Sequence, residues 1–326
     1  MMRIANFVIT SLFVALVMLA AAAARAQDYP TRPIRILVPY APGGISDIAA
    51  RLVGAKLTEA FGQQVIVENR PGGNGFIAVA DAAKSTPDGY TLVMVTTGDV
   101  AINPALFKQV PYDVERDLVP IAAVSDAPMV LATNTDSPYK SVADAIAAAK
   151  AKPDTISVAS PGYGSINQLV LESIALNTGT KFVHVPYKGG APAAQALVAG
   201  DIPLAVLASS SVAPHVAAGR VRVLAITTAQ RSPLNPDWPT LKEAGAGDIN
   251  ASNWTALLAP KGTPHPIIDK LNAKVVEILK MPDVKEKFAA GGVSTIPSSP
   301  VELSERIKRE LGVYRVVIEK ANVHVD

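Results

Sequence analysis

The residues best suited to chemistry lie in a turn of small and polar residues at positions 40–47. An apolar run at 34–38 predicts a strand before this turn, and apolar residues at helical spacing over 48–61 predict a helix after it. Gly43 and Gly44 therefore precede a helix start, where backbone N–H groups lack helical partners and the helix dipole is positive. Such a turn favours an anion, for example a small carboxylate. The alternative is a tight turn whose acidic residue only caps the helix.

The order of strand, glycine turn and helix recurs further along the chain. A second copy covers 156–176 and a third covers 182–199. Another glycine-rich loop, at 72–75, follows a predicted strand at 65–67. Strands that alternate with helices indicate parallel βαβ units, whose ligands bind beyond the carboxyl ends of the strands. The sequence thus predicts an α/β fold with its glycine turns facing the ligand.

The order of the predicted elements indicates two lobes. Residues 128–250 form a self-contained set of strands and helices, whereas 251–326 supply the strand and helices that 27–127 need for completion. We therefore predict a discontinuous first lobe, 27–127 plus 251–326, and a second lobe at 128–250. Each lobe is expected to be a mainly parallel sheet flanked by helices. Two strand-like hinges would join the lobes, which suits closure of a cleft on a ligand.

Polar side chains at the glycine turns could add hydrogen bonds to a carboxylate that is bound without a salt bridge. Lys188 is a basic residue inside the third turn, although lysines are usually solvated surface groups. Asp47 most simply stabilises the helix dipole; if it faced the cleft, it could accept hydrogen bonds from a ligand ammonium or hydroxyl. The predicted ligand-binding residues are Tyr40, Pro42, Gly43, Gly44, Ser46, Asp47, Thr97, Ser160, Gly162, Gly164, Ser165, Asn167, Tyr187, Lys188, Gly189 and Ser209.

The sequence gives little support for catalysis. Ser165 follows a Gly-x-Gly run, but the hydrolase nucleophile elbow needs glycine two residues on either side of the serine, and position 167 is Asn. The four histidines form no i, i+4 pair, and neither a paired-carboxylate motif nor a Walker A sequence occurs. We therefore predict no catalytic residue, no metal site and no cofactor. An exported hydrolase that uses Ser165 is the alternative.

Residues 1–26 have the pattern of a cleaved signal peptide. Arg3 gives a basic start, residues 7–24 are nearly all apolar, and the small residues flanking Arg25 predict cleavage after Ala26. The alternative is an uncleaved membrane anchor, since the apolar run is long enough to span a bilayer. The 326 residues include no cysteine, which excludes disulfides, thiolate metal sites and cysteine nucleophiles. We expect an exported, soluble protein and favour the periplasm.

The charge balance argues against nucleic acid as a partner. Residues 1–26 hold two of the 30 basic residues and no acid, so the rest of the chain carries 28 basic and 28 acidic residues. A net charge of zero gives no reason to expect binding to nucleic acid or to an anionic membrane.

Short motifs spread over nearly all of residues 27–326 resemble the Bug, or TctC-like, family of substrate-binding proteins of tripartite tricarboxylate transporters. Each motif alone is weak, but their joint order and spacing are specific. The matching segments are residues 29–34, 38–47, 69–73, 88–92, 162–165, 185–190, 239–245 and 259–264.

The resemblance implies a two-lobed receptor with a type II-like periplasmic-binding-protein fold. Such a receptor closes about a hinge on a small carboxylate and delivers it to cognate membrane transporter subunits; we expect it to be a monomer. A receptor that presents its ligand to a sensor would share these features. The family's ligand carboxylate is held by the two glycine turns and by bridging waters. The residues that match its ligand shell are Gly43, Gly44, Ser46, Asp47, Ser160, Gly162, Gly164 and Ser165.

The sequence departs from the family pattern in the second lobe. Gln168 stands where the family often has His, and Pro203 and Ala208 stand where it commonly has Asp. These positions lie on the side of the cleft that reads the variable part of the ligand. The departures argue against a ligand that carries an ammonium group.

Overall fold

The computed structural model describes residues 29–324. The predicted signal peptide, residues 1–26, and its cleavage site after Ala26 lie outside that range. Within it, ten strands form a mixed sheet, and helices alternate with strands along the chain. The chain therefore has the α/β architecture that its sequence pattern predicts.

The secondary structure follows the predicted order, with boundaries shifted by a few residues. The strands are β1 Ile34–Val38, β2 Val65–Asn69, β3 Thr91–Thr96, β4 Leu118–Asn134, β5 Ser157–Ser160, β6 Val183–Pro186, β7 Leu204–Ala208, β8 Val221–Ile226, β9 Ser252–Pro260 and β10 Ser294–Thr295. The α-helices are α1 Ile45–Phe61, α2 Phe76–Ala83, α3 Asn103–Leu106, α4 Val114–Asp117, α5 Val142–Ala151, α6 Ile166–Thr178, α7 Gly190–Ala199, α8 Ser209–Ala217, α9 His265–Lys280, α10 Pro282–Ala290 and α11 Pro300–Ala321. A 3-10 turn, Gly73–Gly75, precedes α2, and a π-helical turn, Gly98–Ile102, precedes α3.

Strand β4 joins the two halves of the sheet, whose strand order is β2-β1-β3-β9-β4-β7-β5-β6, with β8 and β10 also paired to β4. Its residues 118–128 pair with β9, whereas residues 129–134 pair with β7 and β8. The apolar runs at 119–124 and 129–131 predict two strands, and this prediction is wrong. Two register shifts within 120–125 accommodate Pro120 without ending the strand.

Within each half of the sheet, the loops that follow the parallel strands lie on the same edge. In the first half, β1, β2 and β3 are parallel and β9 is antiparallel to β3. In the second half, β5, β6 and β7 are parallel. The carboxyl ends of each parallel set therefore lie on one edge of their half. We propose these halves as the two lobes, with the exchange of partners in β4 at their boundary.

The first half is covered on both faces, as the alternation of side chains on β1 shows. Ile34, Ile36 and Val38 pack in one buried cluster with residues of α1 and α9, whereas Leu37 packs in another with residues of α2 and α11. Strands of a parallel sheet that are buried on both faces have nearly continuous apolar sequences, which explains why every residue of β1 except the partly buried Arg35 is apolar.

Helix α11 contacts both halves of the molecule. Leu303 and Ile307, near its start, belong to the first-half core, whereas Tyr314, Val317 and Ile318 pack in the second-half core with residues of α6. A helix of 22 residues extends about 33 Å, which is enough to reach across both halves. The last helix of the proposed first lobe thus also packs against the proposed second lobe.

A polar network holds α11 against β4 and β9 where these strands cross between the halves. The Ser252 hydroxyl donates to Asp126, and Arg306 Nη2 donates to Ser252 Oγ at 3.1 Å. Arg306 Nε also donates to Glu310 Oε1 at 2.8 Å, and the buried Trp254 indole donates to Glu310 Oε2 at 2.7 Å. Burial raises the pKa of Glu310, and the Arg306 guanidinium opposes that rise.

Candidate ligand-binding cleft

A cavity of about 450 Å³ lies between the turn after β1, the end of β3 and the start of α6. It therefore combines the carboxyl ends of first-half strands with a helix start from the second half. Its lining residues are Tyr40, Gly44, Ile45, Ser46, Asn74, Thr96, Gly98, Ile102, Asn103, Leu106, Phe107, Tyr163, Gly164, Ser165, Ile166, Asn167 and Asn253.

Helix α1 begins on the cavity wall without a side-chain cap. Ser46 and Asp47, which follow the glycines, predict a side-chain cap, but this prediction is wrong because the N-cap is Gly44 and both residues lie in the first helical turn. The helix begins at Ile45, after Gly43 with φ +89° has turned the chain through the left-handed region that favours glycine. No side chain hydrogen-bonds the first-turn amides as a cap, so these N–H groups remain available to a bound anion.

Asp47 lies under the α1 turn and is not among the lining residues. Its carboxylate accepts hydrogen bonds from Gly43 N–H at 2.9 Å, Arg51 Nε at 3.0 Å and Asn69 Nδ2 at 2.9 Å. Burial alone would raise the pKa of Asp47, but these hydrogen bonds and the Arg51 charge hold it below its usual value. The carboxylate therefore stays ionised and fixes the turn.

Helix α6 begins with a neutral set of caps. The Ser165 hydroxyl accepts from Gln168 N–H at 3.3 Å and donates to Gly162 O at 2.7 Å. Gln168 Oε1 in turn accepts from Gly164 N–H at 2.8 Å. These contacts hold the glycine turn closed while the earlier first-turn amides, at Ile166 and Asn167, lie on the cavity wall.

Ser160 supports the α6 turn from beneath. It is 1% exposed, and its hydroxyl lies 2.6 Å from His184 Nε2. Burial lowers the pKa of His184, which favours the neutral imidazole. The ring of Tyr163, which lines the cavity, packs edge-on against His184 at a centroid distance of 5.2 Å. The Ser160–His184 pair thus orients one aromatic wall of the cleft.

The end of β3 brings a buried carboxylate under the cavity floor. Asp99 accepts from Thr96 N–H at 2.6 Å and from the Thr96 hydroxyl at 2.8 Å. Its other oxygen accepts from the Tyr40 hydroxyl at 2.9 Å. Burial raises the pKa of Asp99 to about 6, although these hydrogen bonds act in the opposite direction. A Cβ at Gly75 would collide with this carboxylate, so glycine there leaves Asp99 its space.

Six of the sixteen sequence-predicted residues line the cavity: Tyr40, Gly44, Ser46, Gly164, Ser165 and Asn167. The others are Pro42, Gly43, Asp47, Thr97, Ser160, Gly162, Tyr187, Lys188, Gly189 and Ser209. Gly43, Asp47, Ser160 and Gly162 lie within the two turns as their supports.

The remaining six lie further from the cavity. Thr97 is fully buried, with its hydroxyl donating to Ser252 O and accepting from Trp254 N–H. Lys188 is exposed. Ser209 is buried, and its hydroxyl donates weakly to Gly292 O at 3.4 Å. The other three residues do not line the cavity either and belong to the turns after β1 and β6: Pro42, Tyr187 and Gly189.

Sequence reasoning missed eleven lining residues: Ile45, Asn74, Thr96, Gly98, Ile102, Asn103, Leu106, Phe107, Tyr163, Ile166 and Asn253. The glycine-rich loop at 72–75 could have indicated Asn74, since it follows a strand on the same edge. Asn103 joins the wall through its hydrogen bond to Asn74 O at 2.8 Å. Asn253 comes from β9, which is distant in sequence, and no local pattern indicates it.

The walls of the cleft combine apolar side chains with neutral polar ones and carry no charge. None of its seventeen lining residues, all within the described part of the chain, is Lys, Arg, His, Asp or Glu. Over residues 29–324, no three His, Asp or Glu side chains are grouped so that they could hold a metal ion. In the same range, no helix is both long and apolar enough to cross a bilayer.

Comparison with known proteins gives one consistent result. Residues 49–323 match the model of the "tripartite tricarboxylate transporter family receptor". The chain is 38% identical to BugT of Bordetella pertussis over 300 residues, covering 90% of this chain and 92% of that protein.

Solved structures agree with this result. An R. palustris protein in complex with adipate superposes with a TM-score of 0.78 at 32% identity, covering 91% of this chain and 99% of the other. MatC from Rhodopseudomonas palustris, with bound malate, superposes with a TM-score of 0.74 at 31% identity, covering 89% of this chain and 100% of the other.

Proposed function

The chain belongs to the tripartite tricarboxylate transporter receptor family, and we propose that it captures a small carboxylate in this cleft and delivers it to the membrane subunits of such a transporter. The observation that carries the proposal is the cavity between α1 and α6. It is lined by two helix starts, one from each half of the sheet. A carboxylate placed there would meet backbone N–H groups from both halves.

Backbone amides can contribute to holding such a ligand without a salt bridge, because the walls carry no charged side chain that would compete for them or repel it. Helix starts stabilise an anion by about 0.3–1 kcal/mol each when exposed and by more when partly buried. Hydrogen bonds from Ser46, Asn74 and Asn103 or from bridging water would add to this. A volume of about 450 Å³ fits a small organic acid together with some water.

The complexes of the related proteins with adipate and malate support this ligand class. Both molecules are dicarboxylic acids, and the superposition with this chain covers nearly the whole length of both proteins. We therefore propose a mono- or dicarboxylate of similar size as the ligand. In our proposal the mature receptor begins after Ala26, acts as a monomer in the periplasm and closes its two lobes on the ligand.

The contacts of the serines do not favour the hydrolase alternative. Both described contacts of the Ser165 hydroxyl are to backbone groups, Gly162 O and Gln168 N–H. Ser160 does contact a histidine, but it is buried beneath the turn, out of reach of a substrate. We therefore propose binding without turnover.

Thermal unfolding of purified protein, freed of co-purified ligand by unfolding and refolding, tests the proposal. A carboxylate present at 100 times its dissociation constant should stabilise the fold by about 2.7 kcal/mol. The corresponding diamide, which matches a dicarboxylate in size but lacks its charge, serves as the control and should give no shift. The proposal is wrong if none of a panel of C3 to C8 mono- and dicarboxylates raises the unfolding temperature.

A further inference from the structure

The floor of the cleft, at the end of β3, includes Tyr40 and Thr96, whose hydroxyl groups have a defined polarity. Each donates its proton to Asp99, at 2.9 and 2.8 Å respectively. The two hydroxyl oxygens lie 3.3 Å apart. Since both protons are used beneath the floor, only lone pairs remain for a ligand. The floor therefore accepts hydrogen bonds, whereas the helix starts on the walls donate them.

This polarity holds at neutral pH, because the hydrogen bonds to Asp99 oppose the effect of its burial. Asp99 is completely buried, and its pKa of about 6 leaves it ionised at pH 7 and above. Burial also raises the pKa of the Tyr40 phenol well above its usual value, so the phenol keeps its proton. A ligand carboxylate placed on the floor would meet two acceptor oxygens with an anion behind them.

The geometry points to a ligand that carries a hydrogen-bond donor in addition to its carboxylate. The donor is a hydroxyl group or, contrary to the expectation from Gln168, Pro203 and Ala208, an ammonium group. This inference rests on the proposed function, because it takes the amides of α1 and α6 as the carboxylate site. The donor would bridge the oxygens of Tyr40 and Thr96. An acid without a donor excludes solvent from these acceptors and leaves them unpaired, which lowers the affinity of that acid.

Isothermal titration of the ligand-free protein at pH 7.5 with matched acids tests the inference. The two series are succinate, malate and aspartate, and propionate, lactate and alanine. In whichever series binds, we expect the hydroxy or amino acid to bind at least about tenfold more tightly than the plain acid. The better of the two substituted acids identifies the donor as hydroxyl or ammonium.

Variants separate the acceptor floor from general effects of packing. Asp99→Asn can donate from its amide, which releases a hydroxyl proton of Tyr40 or Thr96 toward the cavity, so the tenfold preference should fall to about twofold or less. Tyr40→Phe removes one acceptor without changing the ring and should reduce the preference in the same direction. Tyr112→Phe is the matched control, because the Tyr112 hydroxyl contacts Asp99 only at its backbone carbonyl, at 2.6 Å. It should keep the preference.

The outcomes distinguish this inference from the proposed function. Plain acids that bind as tightly as their substituted partners overturn the inference and leave carboxylate capture intact. Failure of every acid in both series to bind overturns the inference, and inactivity of the wider carboxylate panel as well overturns the proposed function. If Asp99→Asn does not fold, the preference of the wild type and its loss in Tyr40→Phe decide the question; an unchanged preference in Tyr40→Phe contradicts the inference.

Discussion

The turn before α1 and the turn before α6 share one geometry but differ in charge. In each, a glycine with positive φ stands before the N-cap: Gly43 with φ +89° and Gly164 with φ +67°. The N–H of each glycine donates to the side chain at the third helical position, Asp47 in one turn and Gln168 in the other. The acceptor position is thus kept, while a carboxylate is used in the first turn and a neutral amide in the second.

The residue one turn further along each helix explains the difference. Arg51 follows Asp47 by four residues and pairs with it at 3.0 Å, which cancels its charge. Glu172 follows Gln168 by four residues, so a carboxylate at 168 would face a second acid. The geometry of the turn thus needs only a hydrogen-bond acceptor at the third helical position. A site for an anion also needs that side chain to be neutral or to be paired with a positive charge.

The buried acids of the first half should respond to pH in opposite directions, and this is the largest effect that we expect. Burial raises the pKa of Asp99 from 3.8 to about 6, so its contribution favours folding below about pH 4 and is lost as the pH rises through 6. The pKa of Asp47 is lowered, so its contribution is present above about pH 4 and is lost as the pH falls further.

Unfolding free energies measured from pH 3 to pH 7 check this. Relative to the wild type, Asp99→Asn should gain up to about 3 kcal/mol between pH 4 and pH 7, since it lacks the cost of ionising a buried acid. Asp47→Asn should instead lose stability relative to the wild type above pH 4. Parallel pH profiles for the two variants would contradict the assignment of opposite shifts.

Truncating the two acceptors should separate the charged turn from the neutral one. Asp47→Ala leaves Gly43 N–H without its acceptor, removes one of the partners of Asn69 and takes the counter-charge from Arg51, so it should cost about 2 kcal/mol. Gln168→Ala removes one acceptor for Gly164 N–H and should cost about 1 kcal/mol. Urea unfolding at pH 7 measures both. Equal costs would show that the extra partners of Asp47 add nothing to the fold.

Adding a charge to the neutral turn should weaken ligand binding. Gln168→Glu places an acid next to Glu172 and close to the bound carboxylate, so affinity should fall about tenfold. The double variant Gln168→Glu with Glu172→Arg reproduces the arrangement of Asp47 and Arg51 and should recover most of the loss. Titration calorimetry with a carboxylate that binds the wild type measures both, and no recovery would disprove the charge argument.

The smallest expected effect comes from giving α1 the cap that α6 has. A Cβ at Gly44 would lie 3.8 Å from its nearest neighbour, Ala41 O, so a serine fits there. Gly44→Ser should stabilise the fold by a few tenths of a kcal/mol, because its hydroxyl caps a first-turn amide. The same contact takes that amide from the ligand, so affinity should fall several-fold. Gly44→Ala, which cannot cap, should change affinity less.

Much of the fold could be predicted because its signals are local. The apolar run of β1, the helical spacing of α1 and the glycines of the turns each give a pattern within about ten residues. Strand β4 could not be predicted as one element, because its continuity depends on pairing with β9, more than 100 residues away. The path of α11 across both halves is likewise a tertiary result.

Only the parts of the cleft that are formed by the backbone of the glycine turns could be predicted from the sequence. The glycines and capping residues at 43–47 and 162–165 follow from helix-start chemistry, and several of them do lie at the cavity. Thr96 and Asp99 were missed because nothing in the sequence shows that Asp99 is buried with its oxygens toward Tyr40. Asn253 was missed because its strand joins the first half only after the second is complete.

A crystal structure of the protein with a carboxylate that stabilises it tests the central claim most directly. The account predicts that the carboxylate oxygens accept hydrogen bonds, directly or through one water, from first-turn amides of both α1 and α6. A carboxylate held by only one of these helices, or bound outside the cavity between them, would contradict it.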